Sequence, residues 1–357
     1  MSGYYDGTKL LSLQDINGRK PEIYMVTTNK TGGKTTYFSR LCVNRFLDSN
    51  SKFMLIYRFR NEMDDCAEKF FKDIGGLFFN GYELKSEKRS DGIYHEMYMS
   101  KILTGTAKAS ERTSCGYVVN LNSVDALKKM SHLFSDTGRM FMDEFQSETA
   151  HYCSEEVTKF RALHKLVARG QYKQSRYVPV YMCSNPVSLL NPYFVAMNIA
   201  PRLRQDTHFL RGAGWVLEQG FVQSAYDAQK ESGFNQAFGE DKYSQYEDQG
   251  VYLDDSLSFI AKPKGKSRYI CTLRYEGRDY AIREYAEEGI VYCDNTADLS
   301  FPVKITVTTI DHKINYVMLK KNDVFIQNLR FYFERGAFRF KDLQCKDVLL
   351  KSISYGM

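Results

Sequence analysis

Short apolar runs alternate with amphipathic stretches along the first part of the chain. EIYMVTT (22–28) reads as a strand, and after Lys34 the residues Tyr37, Leu41 and Phe46 recur on one helical face. KFMLIYRF (52–59) is a second strand, and DDCAEKFFKDIG (64–75) reads as a helix stopped by glycine. CGYVVNL (115–121), RMFMDEF (139–145) and VPVYMCSN (178–185) are further apolar strands. ALKKMSHLF (126–134) and SEEVTKFRALHKLVARG (154–170) read as helices between them. Strands alternating with helices predict a parallel α/β sheet.

The pattern changes after residue 205. FVQSAYDAQKESGFNQAFGEDKYSQYEDQG (221–250) is polar and rich in Gln, Ser and Gly, the composition of a linker or small helical connector. From Asp254 onward strands dominate: SRYICTLRYEGRDYAIREY (267–285) with EGRD as a hairpin turn, then GIVYCDN (289–295) and VKITVTT (303–309). LKKNDVFIQNLRFYFERG (319–336) reads as a helix. Three meandering strands followed by a helix are compatible with an RNase H-like unit. The expected organisation is a domain over 1–205, a connector over 206–253 and a second domain over 254–357.

Composition narrows the function classes only slightly. A chain of 357 residues has room for two domains, and 43% hydrophobic residues supply ordinary cores. The net charge of +6 permits a polyanionic partner without requiring one. Eight cysteines are scattered without a CxxC pair, and six histidines form no zinc-spaced cluster, so reduced thiols in a cytosolic protein are expected. The start MSGYYDGTKLL lacks the basic and apolar regions of a signal peptide. No apolar run approaches the roughly 20 residues of a membrane span.

Candidate chemistry concentrates at three strand ends. TNKTGGKT (28–35) falls between a strand and a helix and matches GxxxxGK[ST], except that Thr28 stands where the first Gly belongs. In such a loop (Thr28, Asn29, Lys30, Thr31, Gly32, Gly33, Lys34, Thr35, Thr36) backbone N–H groups cradle phosphate at a helix N-terminus. Lys34 would neutralise the β- and γ-phosphates of ATP, and the Thr35 hydroxyl would bind Mg²⁺. Thr28 cannot take positive φ cheaply, so the entrance of the loop must differ from the consensus. RMFMDEF ends in Asp143, a candidate Mg²⁺ ligand, and Glu144, a candidate activator of the attacking water. Ser184-Asn185 could sense the γ-phosphate, although Ser-Asn-Pro is also good turn chemistry.

In this order, these motifs resemble the DNA-packaging ATPases (DNA encapsidation proteins) of phi29-type tailed phages. The resemblance runs over most of the chain. It is carried by the deviant phosphate loop, LIYRFRNE (55–62), MDEF (142–145) and above all CSNPVSLLNPYF (183–194). It implies an additional-strand P-loop ATPase domain, a linker and a C-terminal RNase H-like domain. It further implies a homomeric ring, taken as a pentamer, on the portal of a procapsid, driving double-stranded DNA inward. A structural packaging RNA is a further partner the family allows. The expected location is the host cytoplasm, transiently at the procapsid vertex and not in the mature virion.

Carried over residue by residue, Lys34 and Thr35 match the phosphate and Mg²⁺ residues. Asp143 and Glu144 match the carboxylates, and Ser184-Asn185 the coupling motif. Arg169 matches the arginine finger that reaches a neighbour's ATP, and Lys128, or Lys129 beside it, the trans-acting lysine. Arg58 falls at a strand end where it would lie beside the base or form a salt bridge.

A large-terminase nuclease needs an acid in the middle of its first strand. SRYICTLRY has Cys271 and Leu273 there, with Glu276 only at its end, and Asp294 and Asp298 lack that partner. The second domain is therefore expected to be nuclease-like in shape and catalytically inactive. Its Lys262, Lys264, Lys266, Arg268 and Arg274 are candidates for sequence-blind contact with the DNA backbone. The alternatives are a large terminase with a working nuclease and a non-hydrolysing DNA-binding or capsid-vertex protein.

Overall fold

The computed structural model describes residues 4–102, 111–148, 151–169, 174–188, 191–199, 202–203, 207–233, 260–320, 323–334 and 337–354. The chain divides into two compact units. One comprises Met1–Met197 and Leu203–Leu253, the other Asn198–Arg202 and Asp254–Met357.

The strands of the first unit are β1 (Ile23–Thr27), β2 (Lys52–Tyr57), β3 (Tyr82–Arg89), β4 (Tyr94–Lys101), β5 (Thr113–Asn120), β6 (Thr137–Met142), β7 (Val180–Ser184), β8 (Phe209–Gly212) and β9 (Trp215–Gln219). They form one nine-stranded sheet in the order β3-β4-β5-β2-β6-β7-β1-β9-β8. From β5 to β9 the neighbours run parallel. Every residue of β7 is buried, as expected of a strand covered on both faces. The helices are α1 (Thr8–Ser12), α2 (Lys34–Ser49), α3 (Cys66–Phe78), α4 (Val124–Lys128), α5 (Glu156–Val167), α6 (Pro192–Ala196) and α7 (Gln223–Lys230). Phe38, Cys42, Val43 and Phe46 are the buried stripe of α2, packed against Tyr24, Val26, Tyr181 and Cys183 of β1 and β7.

The sheet is mixed where the sequence pattern predicted a parallel one. β3 and β4 form an antiparallel hairpin, β4 pairs antiparallel with β5, and β8 pairs antiparallel with β9. YELKSEKR in β3 is an edge strand whose charged side chains hide it from an apolar-run criterion. The expected glycine stop of α3 does not occur: the helix runs on through Gly75 and Gly76 to Phe78. A Cβ on Gly75 would stand 3.0 Å from the Phe71 ring, so glycine serves close packing there. The helix expected over 126–134 is instead the short α4 followed by a 3-10 turn at Ser131–Phe134. The first sheet also continues past residue 205, because β8 and β9 close its edge beyond β1 and α7 follows them. The rest of the expected connector, 234–253, lies outside the described residues, as do 254–259 at the start of the expected second domain.

The second unit has β10 (Arg268–Tyr275), β11 (Arg278–Tyr285), β12 (Ile290–Asp294), β13 (Lys304–Thr306), β14 (Val317–Met318) and β15 (Phe338–Phe340), with helices α8 (Val324–Glu334) and α9 (Leu343–Ser354). Its sheet order is β14-β13-β10-β11-β12-β15. β10, β11 and β12 form the antiparallel meander, while β13 runs parallel to β10. The EGRD hairpin turns at Glu276 and Gly277, both at positive φ (49° and 74°), as a tight two-residue hairpin demands. Cys271, Leu273, Ile282 and Cys293 pack under Ile326, Leu329 and Leu349.

Candidate active site

The site is built at the C-terminal ends of β1, β6 and β7, three adjacent parallel strands. β1 ends at Thr27, the loop spans 28–33, and α2 begins at Lys34. The left-handed residues of this loop are Thr31 (φ 58°) and Gly33 (φ 89°). Thr28 is buried and is not among the positive-φ residues. Its N–H donates to the Ser184 carbonyl at 3.3 Å and its hydroxyl to the Asn29 carbonyl at 3.0 Å. The missing consensus glycine thus costs nothing at this position, because the sharp turn is made further along.

The loop is clamped from outside. The buried Asn29 side chain donates to the Val222 carbonyl (3.1 Å) and accepts from the Val222 N–H (2.9 Å), mimicking a backbone pair. Tyr5 N–H donates to the Gly32 carbonyl at 2.8 Å. A Cβ on Gly32 would lie 2.8 Å from Val222 Cγ2, so only glycine fits there. Lys30 is ion-paired with Glu148 at 3.1 Å.

Lys34, at the first position of α2, is buried, and its ammonium donates to Asn185 Oδ1 at 2.7 Å. Burial pulls its pKa below the ordinary lysine value, opposed by the negative charges of Asp143 and Glu144. Thr35 Oγ1 donates to Asp143 Oδ1 at 3.3 Å. Burial pushes the Asp143 carboxyl up to about 6, with Lys34 pulling it down and Glu144 adding to the rise. Glu144 stands in the left-handed region (φ 53°), with its side chain exposed and without a hydrogen bond or ion pair among the described residues. Ser184, buried, donates its hydroxyl to the Asn185 carbonyl (2.7 Å) and accepts from Gln146 N–H (3.3 Å). Thr36 is half-buried in the first turn of α2.

A buried lysine at a helix N-terminus, a glycine cradle and a hydroxyl–carboxylate pair make a donor set that fits a nucleoside triphosphate with a hard divalent cation. Thr35 and Asp143 would hold the cation.

The structure does not bring every expected residue to this place. Arg58 is buried in an ion pair with Glu156 (Nε to Oε1 3.0 Å), and its other nitrogens are taken by the Glu144 and Phe145 carbonyls. That leaves it the salt-bridge reading rather than the nucleotide base. Lys128 closes α4 on the surface, paired with Asp125 at 2.6 Å, and Lys129 beside it is exposed. Arg169 follows α5, exposed and without a partner among the described residues.

Other contributors escaped the sequence reading. Gln146 is buried, and its Oε1 accepts from Val187 N–H (3.1 Å) and Ser188 N–H (2.9 Å), tying the segments after β6 and β7 together. Its place directly after MDEF was the available signal. On the far side of β1, a cleft of about 560 Å³ is lined by Tyr4, Tyr5, His208, Glu218, Phe221 and Val222. Glu218 accepts from the Tyr5 hydroxyl at 2.6 Å, and burial raises both groups above their ordinary values. Nothing in the local sequence pairs these segments, since they meet only through the β1–β9 register.

In the second unit, Asp294 is buried at the end of β12. It accepts from Arg283 Nε (2.8 Å) and from the Thr296 N–H (2.7 Å). Thr272 fills the middle of β10 and is buried. Asp298 is capped by Ser300. Among the described residues there is no group of three or more His, Cys, Asp or Glu that could hold a metal. Lys262, Lys264 and Lys266 are exposed before β10, whereas Arg268 pairs with Glu284 (2.6 Å) and Arg274 with Asp279 (3.1 Å). Among the described residues no helix is long and apolar enough to cross a membrane.

Comparisons with known proteins place this geometry in context. The profile of the family described as Podovirus DNA encapsidation protein (Gp16) matches residues 1–354. The DNA packaging protein of Bacillus phage phi29 is 21% identical over 349 residues, covering 97% of this chain and 95% of its own. That of Bacillus phage B103 is 21% identical over 329 residues, covering 91% and 92%. The fold is similar to a chain of the bacteriophage Phi-29 viral genome packaging motor assembly, with a TM-score of 0.71 at 20% identity over all of both chains. It is also similar to the Phi-28 gp11 DNA packaging motor, with a TM-score of 0.55 at 15% identity over 100% of this chain and 98% of that one.

Proposed function

The chain belongs to the podovirus DNA encapsidation protein family, as a DNA-packaging ATPase of phi29-like phages, and on that premise we propose how its residues carry the activity. The observation that carries the reading is the convergence of Lys34, Asp143 and Asn185 from three neighbouring strand ends onto one glycine-bounded loop. The insertion of β7 between β1 and β6 supports an additional-strand P-loop fold for the first unit.

ATP binds with its phosphates on the loop. Lys34 and the N–H groups at the start of α2 take the phosphate charge, and Asn185 holds the ammonium in place. Thr35 and Asp143, in contact at 3.3 Å, would hold Mg²⁺, which would neutralise part of the phosphate charge. The carboxylates lie on the β6 side of β1 and the tyrosine-lined cleft on the β9 side, so the γ-phosphate points toward Glu144 and the base toward Tyr4, Tyr5 and Phe221. Glu144 orients the attacking water and takes its proton. Arg169 of one subunit completes the neighbour's site in a homomeric ring, taken as a pentamer, with Lys128 as the second trans-acting cation. Added positive charge of this kind is worth about 10³–10⁵ in rate. Ser184-Asn185 reports loss of the γ-phosphate, because Asn185 touches Lys34 and Ser184 touches both the loop entrance and Gln146.

The motion so driven moves double-stranded DNA through the ring into a procapsid, with the ring seated on the portal and a structural RNA as a further tether. The protein works in the host cytoplasm and at the procapsid vertex, and is absent from the mature virion. The strand order of the second unit, an antiparallel meander with β13 parallel to its first strand, supports an RNase H-like fold. Its closed Asp294 and its Thr272 support an inactive nuclease site. Exposed Lys262, Lys264 and Lys266 suit backbone contact without sequence preference.

The test is DNA-stimulated ATP turnover for wild type, Glu144→Gln, Arg169→Ala and an equimolar mixture of the two variants. Both variants are expected to be inactive alone, and the mixture to recover part of the wild-type rate through mixed interfaces. Full activity of Arg169→Ala would remove it as the finger. Absence of turnover in the wild type at every concentration would favour the structural-protein alternative.

A further inference from the structure

Arg58 is the hub of a buried network that the nucleotide reading does not use. Its Nε meets both Glu156 oxygens (3.0 and 3.1 Å), Nη1 donates to the Glu144 carbonyl (2.8 Å) and Nη2 to the Phe145 carbonyl (2.5 Å). Its guanidinium also lies over the Tyr152 ring at 5.0 Å. Glu156 is saturated in turn: the Tyr193 hydroxyl donates to Oε1 at 2.8 Å and the Cys153 N–H to Oε2 at 3.0 Å. Both charged side chains are at least nine-tenths buried, at 9% and 1% exposure.

A buried ion pair is a poor source of stability, because desolvation consumes most of the Coulombic gain and apolar side chains of similar size do as well. The reason for keeping this one lies in what the rest of the fork grips. The two carbonyls belong to Glu144 and the residue after it, and Glu144 holds a left-handed conformation that is unfavourable for a non-glycine residue. The planar arginine fork can address a carboxylate and two successive carbonyls at once, which an ammonium cannot. Glu156 sits in the first turn of α5, the helix that Arg169 follows.

We propose that Arg58 is a positioning residue for Glu144. It pins the peptide that aims the carboxylate and, through Glu156, couples that peptide to the helix presenting Arg169 to the next subunit. The idea rests on Glu144 acting as the catalytic carboxylate.

Three full-length variants test it: Arg58→Lys, Glu156→Gln, and the double variant Arg58→Met with Glu156→Leu. Arg58→Lys keeps the charge but not the fork. Its kcat is expected to fall about 10²-fold, the scale of a misplaced catalytic group, while fluorescent-nucleotide affinity stays at the wild-type value. Glu156→Gln is expected to lower kcat in the same way. The double variant removes both charges and is expected to regain thermal stability without regaining kcat. Recovery of kcat together with stability would reduce the pair to a structural role. Weakened nucleotide binding at unchanged kcat would make Arg58 a nucleotide contact. A structure of Arg58→Lys decides the question independently of turnover: the proposal requires Glu144 to leave positive φ and falls if that peptide is unchanged. Wild-type turnover, measured alongside, reports on the functional reading alone.

Discussion

Asp143 and Asp294 each stand at or just past the end of a strand, one in each unit, and the protein treats them in opposite ways. Asp143 follows a strand in the parallel core of the first sheet and faces a buried lysine, a threonine hydroxyl and a second carboxylate. Its surroundings hold too little positive charge, and burial drives its carboxyl up to about 6. Asp294 ends a strand of the antiparallel meander, where Arg283 on the adjacent strand neutralises it at 2.8 Å and Thr296 fills its remaining oxygen. A carboxylate left short of cation is prepared to receive one from solution, and a carboxylate already paired is structural.

Exchanging each aspartate for asparagine breaks this comparison most directly. Asp143→Asn is expected to lower ATP turnover on the order of 10²-fold, the scale of losses at metal sites. Asp294→Asn should leave turnover unchanged. Steady-state rates across a Mg²⁺ titration check both, and equal losses would end the distinction.

The next effect is on the pH dependence of stability without metal. The folded value of Asp143 lies above the ordinary 3.8, so the folded protein keeps a proton there that the unfolded chain has lost. Stability contributed by this group is greatest below 3.8 and falls as pH rises to about 6. Urea midpoints through that window should show the decline in wild type and a flatter profile in Asp143→Asn. A wild-type profile matching that of Asp143→Asn would mean that the carboxylate is already compensated.

The smallest effect sharpens the other side. Asp294→Asn leaves Arg283 short of its partner and should cost about 1–3 kcal/mol of stability, read as a lowered unfolding midpoint. It should create no metal-dependent nicking of plasmid DNA. Nicking by the wild type would instead reveal a working nuclease in the second unit.

The core strands and most helices were legible because burial on both faces writes itself as apolar runs, as in IYMVT and VYMCS. The hairpin β3–β4 was not, because an edge strand such as YELKSEKR carries charge on both faces and is recognised only by its partner. β8 and β9 lay inside the expected connector over 206–253, and their membership in the first sheet depends on β1. Lys34, Thr35, Asp143 and Glu144 could be named as candidates because phosphate chemistry calls for those residue types at strand ends in that order, whereas Ser184 and Asn185 were assigned through the family resemblance. Arg58 was named too, but a guanidinium at a strand end suits a nucleotide, a carboxylate or a carbonyl equally well.

Sequence alone determined the α/β class, the change of character before the second sheet and the residue types of the site, since each follows from spacing along one stretch of chain. Tertiary structure decided the rest. It set Thr28 against Ser184, gave Arg58 to Glu156 and the Glu144 carbonyl, and closed Asp294 with Arg283. Each of these pairs joins separate elements, and a charged group's partner is fixed by distance and burial in three dimensions.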